Sequence, residues 1–323
     1  MKHTIRLSTI ALTLAFAAGC AASPADEVPN ETRTRTVTHE LGVTEVPVDP
    51  ERIVATDEYA AMSLLAVGIV PDVVFTGFGS AIGGTVLRNA GAQVIDVPPV
   101  GAPPTEEILA EQPDLVVGSD YGDPTVYEAI SDTVAMVPMP YASPWKESLE
   151  FTATMFDRHD EAARLRTMLD TEIDSLRSTV TTDPTSLSVL MYSSDILAVA
   201  TGISPSSSMA ARVGITAPTL QTAASAAPWT ALSPELLPEQ AADVVVVFDE
   251  GVYSADRVRG VTESAGITGN AVNVNGEMWF ANHPFATYWL VRDLRALIAG
   301  DTSDIGTEDT AADRYTDFQA ELR

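Results

Sequence analysis

The chain has 323 residues and a formal net charge of −27, with 45 Asp and Glu against 18 Lys and Arg, 46% hydrophobic residues and a single cysteine. That balance excludes a nucleic-acid binder, whose phosphate contacts need a basic face, and it excludes attachment to anionic lipid through a basic patch. One cysteine excludes an intrachain disulfide, so two domains of ordinary size, which the length allows, must be held by buried apolar area.

At the start, Lys2 and Arg6 precede an apolar run from Ile10 to Ala18 that is too short to span a bilayer, and Ala17-Ala18-Gly19-Cys20 follows. This is the layout of a secretory signal. The four residues resemble the lipobox of bacterial lipoproteins, with Ala17 where Leu is usual. The resemblance implies cleavage before Cys20, acylation of its sulfur and anchoring at the outer face of the cell membrane; an ordinary signal followed by an incidental thiol is the other reading. Loss of Lys2 and Arg6, with no acid in residues 1–19, takes the charge from −27 to about −29. Residues 20–36 are small, polar and proline-containing and are expected to form a flexible tether.

Beyond the tether, short β-rich runs alternate with helical patterns, the signature of sheets covered by helices. Strands are expected at 52–56, 71–76, 93–97, 113–117 and 134–139, with helices at 58–67, 85–89, 105–111 and 123–131 between them. The glycine-rich stretch 77–84 lacks full GxGxxG spacing and a P-loop lysine, and reads as a mobile loop. Helices follow at 145–156 and 161–180, the second with Leu165, Met168, Leu169, Ile173, Leu176 and Val180 at three-to-four spacing. Together they are long enough to cross a domain. Strands are then expected at 187–192, 196–201, 243–248, 271–274 and 277–280, with helices at 208–213, 285–298 and 313–322.

Three phrases carry a family resemblance: Arg52-Ile53-Val54-Ala55; Gly101 through Pro104-Thr105-Glu106-Glu107-Ile108-Leu109 to Gln112-Pro113-Asp114-Leu115-Val116-Val117; and Leu232-Ser233-Pro234-Glu235-Leu236-Leu237 before the strand Asp243 to Val247. In this order, around a long central helix, the chain resembles the substrate-binding lipoproteins of bacterial ABC importers for iron-siderophore complexes, haem and cobalamin. The resemblance implies an α/β fold of two lobes with mainly parallel sheets, 37–144 and 183–323, joined by one long helix over 145–182 and closing on a ligand between them. It implies a monomer that captures a ferric siderophore, needs no cofactor, performs no catalysis and docks on permease subunits.

In open α/β sheets ligands sit outside the carboxyl ends of the strands. Reading those ends gives Tyr121, Tyr141, Tyr192, Trp229 and His283 as candidate ligand contacts, although aromatic residues there serve inter-lobe packing equally well. Arg88, Arg257 and Arg259 are candidates for an anionic ferric complex, because guanidinium holds oxygen-rich ligands with several charge-assisted bonds. The alternative is that arginine simply replaces lysine in a chain whose only lysine after the signal is Lys146. From the family, Glu58, Glu106 and Glu235 are implied as acids that dock onto permease arginines; as residues alone they read as solvated helix starts. Haem binding through His283, Tyr141 or Tyr288 is an alternative on the same fold. Zinc or manganese capture needs more histidines than the four present. A secreted hydrolase finds no GxSxG, HExxH or catalytic cysteine to support it.

Overall fold

The computed structural model describes residues 33–98, 103–119, 124–141, 143–180, 185–264 and 271–322. Within what the sequence suggests is tether, a hairpin already begins: β1 (Thr34–His39) pairs antiparallel with β2 (Gly42–Pro47), and its alternate residues Val37 and Val46 are buried. The first lobe follows with β3 (Ile53–Ala55), α1 (Glu58–Ala66), β4 (Val73–Phe75), α2 (Ala81–Ala90), β5 (Gln93–Ile95), α3 (Thr105–Ala110), β6 (Leu115–Ser119), α4 (Thr125–Ile130) and β7 (Ala135–Met139). Its sheet runs in the order β5-β4-β3-β6-β7, wholly parallel. These strands are short apolar runs because helices cover both faces. Val54, Val73, Phe75 and Val116 pack outward with Ile108 and Ile130 of α3 and α4, while Ile53, Ala55, Val74 and Val117 point to the central core.

Two helices lead to the second lobe, α5 (Trp145–Phe156) and α6 (His159–Thr179). They are separate elements, whereas the resemblance implies one rod over 145–182: Asp157 takes a left-handed conformation (φ 56°) and ends α5. α6 alone is about 30 Å long and packs against the other lobe's helices. Asp157→Gly should raise stability by up to about 1 kcal/mol, since glycine adopts that conformation freely and the lost Arg35 contact is exposed. A thermal melt showing a clear loss would contradict this account of the break.

The second lobe comprises β8 (Leu187–Ser193), β9 (Ile196–Ala200), α7 (Pro205–Val213), α8 (Thr219–Thr222), β10 (Trp229–Ala231), β11 (Val244–Asp249), α9 (Ala255–Ser264), β12 (Ala271–Asn275), α10 (Gly276–Phe280), α11 (Pro284–Ala299) and α12 (Ala311–Glu321). Its sheet, β10-β9-β8-β11-β12, is mixed: β8, β11 and β12 are parallel, whereas β9 is antiparallel to both of its neighbours. Residues 277–280, expected as a strand, are helical, because the Asn275 side chain accepts the Met278 N–H (2.8 Å) and starts α10. One core runs through both lobes, from Leu64 and Val86 through Leu165 and Leu169 to Trp289 and Phe318. The last helix returns to the first lobe, packing α12 against α2.

Candidate functional site

The strands of the first sheet end on a common rim, where buried acids hold the loops. Asp57, directly after β3, caps α1 by accepting the Ala60 N–H (2.9 Å) and also takes the N–H (2.6 Å) and hydroxyl (2.7 Å) of Ser119 at the end of β6. Glu58 accepts the N–H groups of Phe78 (3.0 Å) and Ser80 (2.6 Å) in the connection after β4. Burial lifts its carboxyl to about 7, against the pull of those bonds. At 1% exposure Glu58 cannot serve as the docking acid that the resemblance implies. Nor is 77–84 a loop throughout: Ser80 caps α2, and Gly83 and Gly84 lie inside it. A Cβ on Gly83 would come within 3.1 Å of the Glu58 Cβ, so that glycine serves close packing, whereas the nearest atom at Gly84 is the movable end of the half-exposed Arg88 side chain.

The carboxyl ends of the two sheets meet face to face, and aromatic side chains fill the seam. Tyr59 lies edge-on to Phe78 (4.6 Å) and Tyr141 (5.4 Å), Phe78 stacks on Tyr141 (5.9 Å), and His283 of the second lobe is 6.2 Å from Tyr59. Asn282 donates to the Tyr141 carbonyl (2.7 Å), tying β7 to the start of α11. His283 caps α11, its Nδ1 accepting the Ala286 N–H (3.1 Å), and burial pushes its pKa down to about 3. A neutral, enclosed, helix-capping imidazole is poorly placed for haem iron. Tyr288 bonds to Glu321 and Arg292 under α12. Among the described residues no group of three or more His, Cys, Asp or Glu is arranged to hold a metal.

Arg257 lies on α9, within reach of the end of β8. It donates to the Tyr192 hydroxyl (2.8 Å), lies over that ring at 4.9 Å and approaches Asp195 at 3.4 Å beside the β8–β9 turn. Arg88 reaches back along α2, as helical side chains do, and pairs with Asp96 (2.7 Å) at the carboxyl end of β5. Arg259, two residues from Arg257 on the helix, points elsewhere; it pairs with Asp256 (2.6 Å) and lines a groove of about 510 Å³ with Leu190, Val247 and Val258 on the lobe's outer face. The three arginines therefore do not form one pocket. Trp229 is 41% exposed on edge strand β10, opposite Ala200 at the end of β9 remote from the turn that holds Asp195. Glu106 on α3 and Glu235, whose carboxyl accepts the Ser233 hydroxyl, are exposed on separate lobes. Tyr121 and Cys20 lie outside the described residues. Sequence reasoning missed Glu277, which it put at the start of a strand; recognising Asn275 as a cap would have shown it as a residue following the end of β12.

A curated relative, the probable siderophore-binding lipoprotein YfiY of Bacillus subtilis strain 168, is 25% identical over 183 residues, covering 55% of this chain and 56% of the relative. The chain spans about half the length of the curated relatives it matches. Among solved structures, the petrobactin-binding protein YclQ of Bacillus subtilis aligns with a TM-score of 0.67 at 16% identity, covering 82% of this chain and 98% of that one. SirA of Staphylococcus aureus, complexed with staphyloferrin B, gives 0.66 at 19% identity over 83% and 99%. At such identities these structures show a shared fold. The periplasmic binding protein family matches residues 50–264, most of the sequence, and the chain belongs to that family.

Proposed function

We propose that the protein captures a ferric siderophore between its lobes and delivers it to the permease of an ABC importer. The observation that carries this reading is the meeting of two sheets' carboxyl ends at one aromatic seam, with an exposed arginine near the strand ends of each lobe, Arg88 and Arg257. Relatives named for siderophore binding share the fold. Tyr192 and Arg257 are the contacts best suited to an oxygen-rich iron complex, stacking and charge acting together. Such capture asks no chemistry of the protein. Glu106 and Glu235, one exposed on each lobe, suit permease arginines. Cys20 would carry the lipid that keeps a monomeric protein at the outer face of the membrane.

Titration of the protein's tryptophan emission with ferric catecholate, hydroxamate and carboxylate siderophores, haemin and cobalamin tests the reading. At least one ferric siderophore should quench saturably with a Kd below about 1 μM. Saturable quenching by haemin or cobalamin alone, or by none of the panel, would overturn it.

A further inference from the structure

Three rings of the first lobe close on one another at the seam. Tyr59 is the second residue of α1, Tyr141 follows β7, and Phe78 lies in the connection between β4 and α2. Phe78 is nearly parallel to Tyr141, with 7° between the planes and 5.9 Å between centroids, and it meets Tyr59 edge-on at 4.6 Å. Beside them, a hollow bounded by Tyr59, Tyr141, Asn282 and His283 measures about 10 Å³, room for a single water. Parting the lobes widens that hollow but leaves the face of Tyr141 covered, because the ring that covers it belongs to the same lobe.

The three rings are not held alike. Tyr59 is 8% exposed within the core, on a helix whose Ser63 hydroxyl bonds to the Tyr59 carbonyl (2.9 Å). Tyr141 is tied to the second lobe through Asn282. Phe78 is half-buried and stands between Gly77 and Gly79, so neither sequence neighbour has a side chain to brace it. Gly79 is left-handed (φ +74°), and Glu58 holds the N–H groups of Phe78 and Ser80 on either side of it, which pins the backbone of the turn. The Phe78 side chain can therefore change rotamer while its loop stays in place. Tyr59 and Tyr141, set at 60° with centroids 5.4 Å apart, are the fixed corner it leaves. A flat ring fills such a corner by stacking on one wall and meeting the other edge to face, as Phe78 does.

We propose that Phe78 stands in for a ring of the cargo, covering the face of Tyr141 until an aromatic ring of the ligand displaces it. The inference rests on the capture reading above and narrows the cargo to a ferric complex with catechol rings. A complex without rings pushes Phe78 aside and recovers neither ring contact; a catecholate recovers both. Such a complex is also anionic, which Arg257 favours.

Titration of tryptophan emission in the full chain with two probes, a ferric tris-catecholamide and a ferric trihydroxamate, tests this. The parent should bind the catecholamide more tightly. Phe78→Ala should tighten both probes about threefold to tenfold, since no ring has to be displaced. Adding Tyr141→Leu to Phe78→Ala should cancel that gain for the catecholamide and leave it intact for the trihydroxamate. Neither replacement alters charge, so the probes' difference in charge does not enter. A Phe78→Ala variant that binds the catecholamide no better than the parent overturns the stand-in. Equal losses of both probes from Tyr141→Leu, or tighter binding of the trihydroxamate by the parent, overturn the catechol assignment. Should either variant misfold, Phe78→Leu and Tyr141→Met carry the same expectations. If the parent binds neither probe the inference fails, whereas capture itself fails only if no ferric siderophore of the wider panel binds.

Discussion

Asp293→Ala is expected to lower stability by roughly 3–5 kcal/mol, seen as a fall of roughly 10 °C in Tm. The side chain on α11 is fully buried and has three donors: Trp279 Nε1 (2.7 Å), Gly306 N (2.9 Å) and Arg314 Nη1 (2.7 Å). Arg314, itself enclosed, lies over the Trp289 ring at 4.6 Å and donates to the Asp304 carbonyl. Removing the carboxylate leaves a guanidinium buried without its counter-ion and an indole N–H without an acceptor, and those penalties set the size of the effect. Gly306 has no room to compensate, since a Cβ there would lie 2.2 Å from the Trp289 ring. The double replacement Asp293→Leu with Arg314→Met should recover much of the loss, because the unpaired charge then disappears. A single-variant loss below about 1 kcal/mol by denaturant unfolding would show that water or local rearrangement satisfies Arg314.

Arg257→Ala is expected to weaken an anionic ferric catecholate on the order of tenfold while leaving a neutral hydroxamate complex nearly unchanged. In the free protein Arg257 rests on Tyr192 and an exposed Asp195, a pairing that solvent screens and that a ligand can displace at small cost. Arg88, paired with exposed Asp96, should behave in the same way. Arg259→Ala should change neither affinity, because its side chain belongs to the outer groove. Equal losses for both ligand classes on mutating Arg257, or a large loss on mutating Arg259, would remove charge as the basis of selectivity.

The framework of the site was legible because its signals are local. Asp57 before Glu58-Tyr59-Ala60 is a cap by residue type, and runs such as Val73–Phe75 and Val244–Val247 are strands covered on both faces. What covers a given side chain is decided at long range. Glu58 has the pattern of a solvated helix start, yet the N–H groups of Phe78 and Ser80, some twenty residues on, draw it inside. Gly83 looks like loop punctuation until the Cβ of Glu58 is seen to need the space. Glu277 follows a β-rich run and lies in a short helix that the Asn275 side chain caps, so the strand pattern of the sequence misplaces it.

Packing of α12 against α2 gives the return of the chain to the first lobe a mechanical meaning. With α5 and α6 as one strap and the carboxyl-terminal segment as a second, the halves can rock about an axis through both attachments but cannot swing apart. Phe318, buried on α12 against Phe285 of α11, is then part of the joint between the halves.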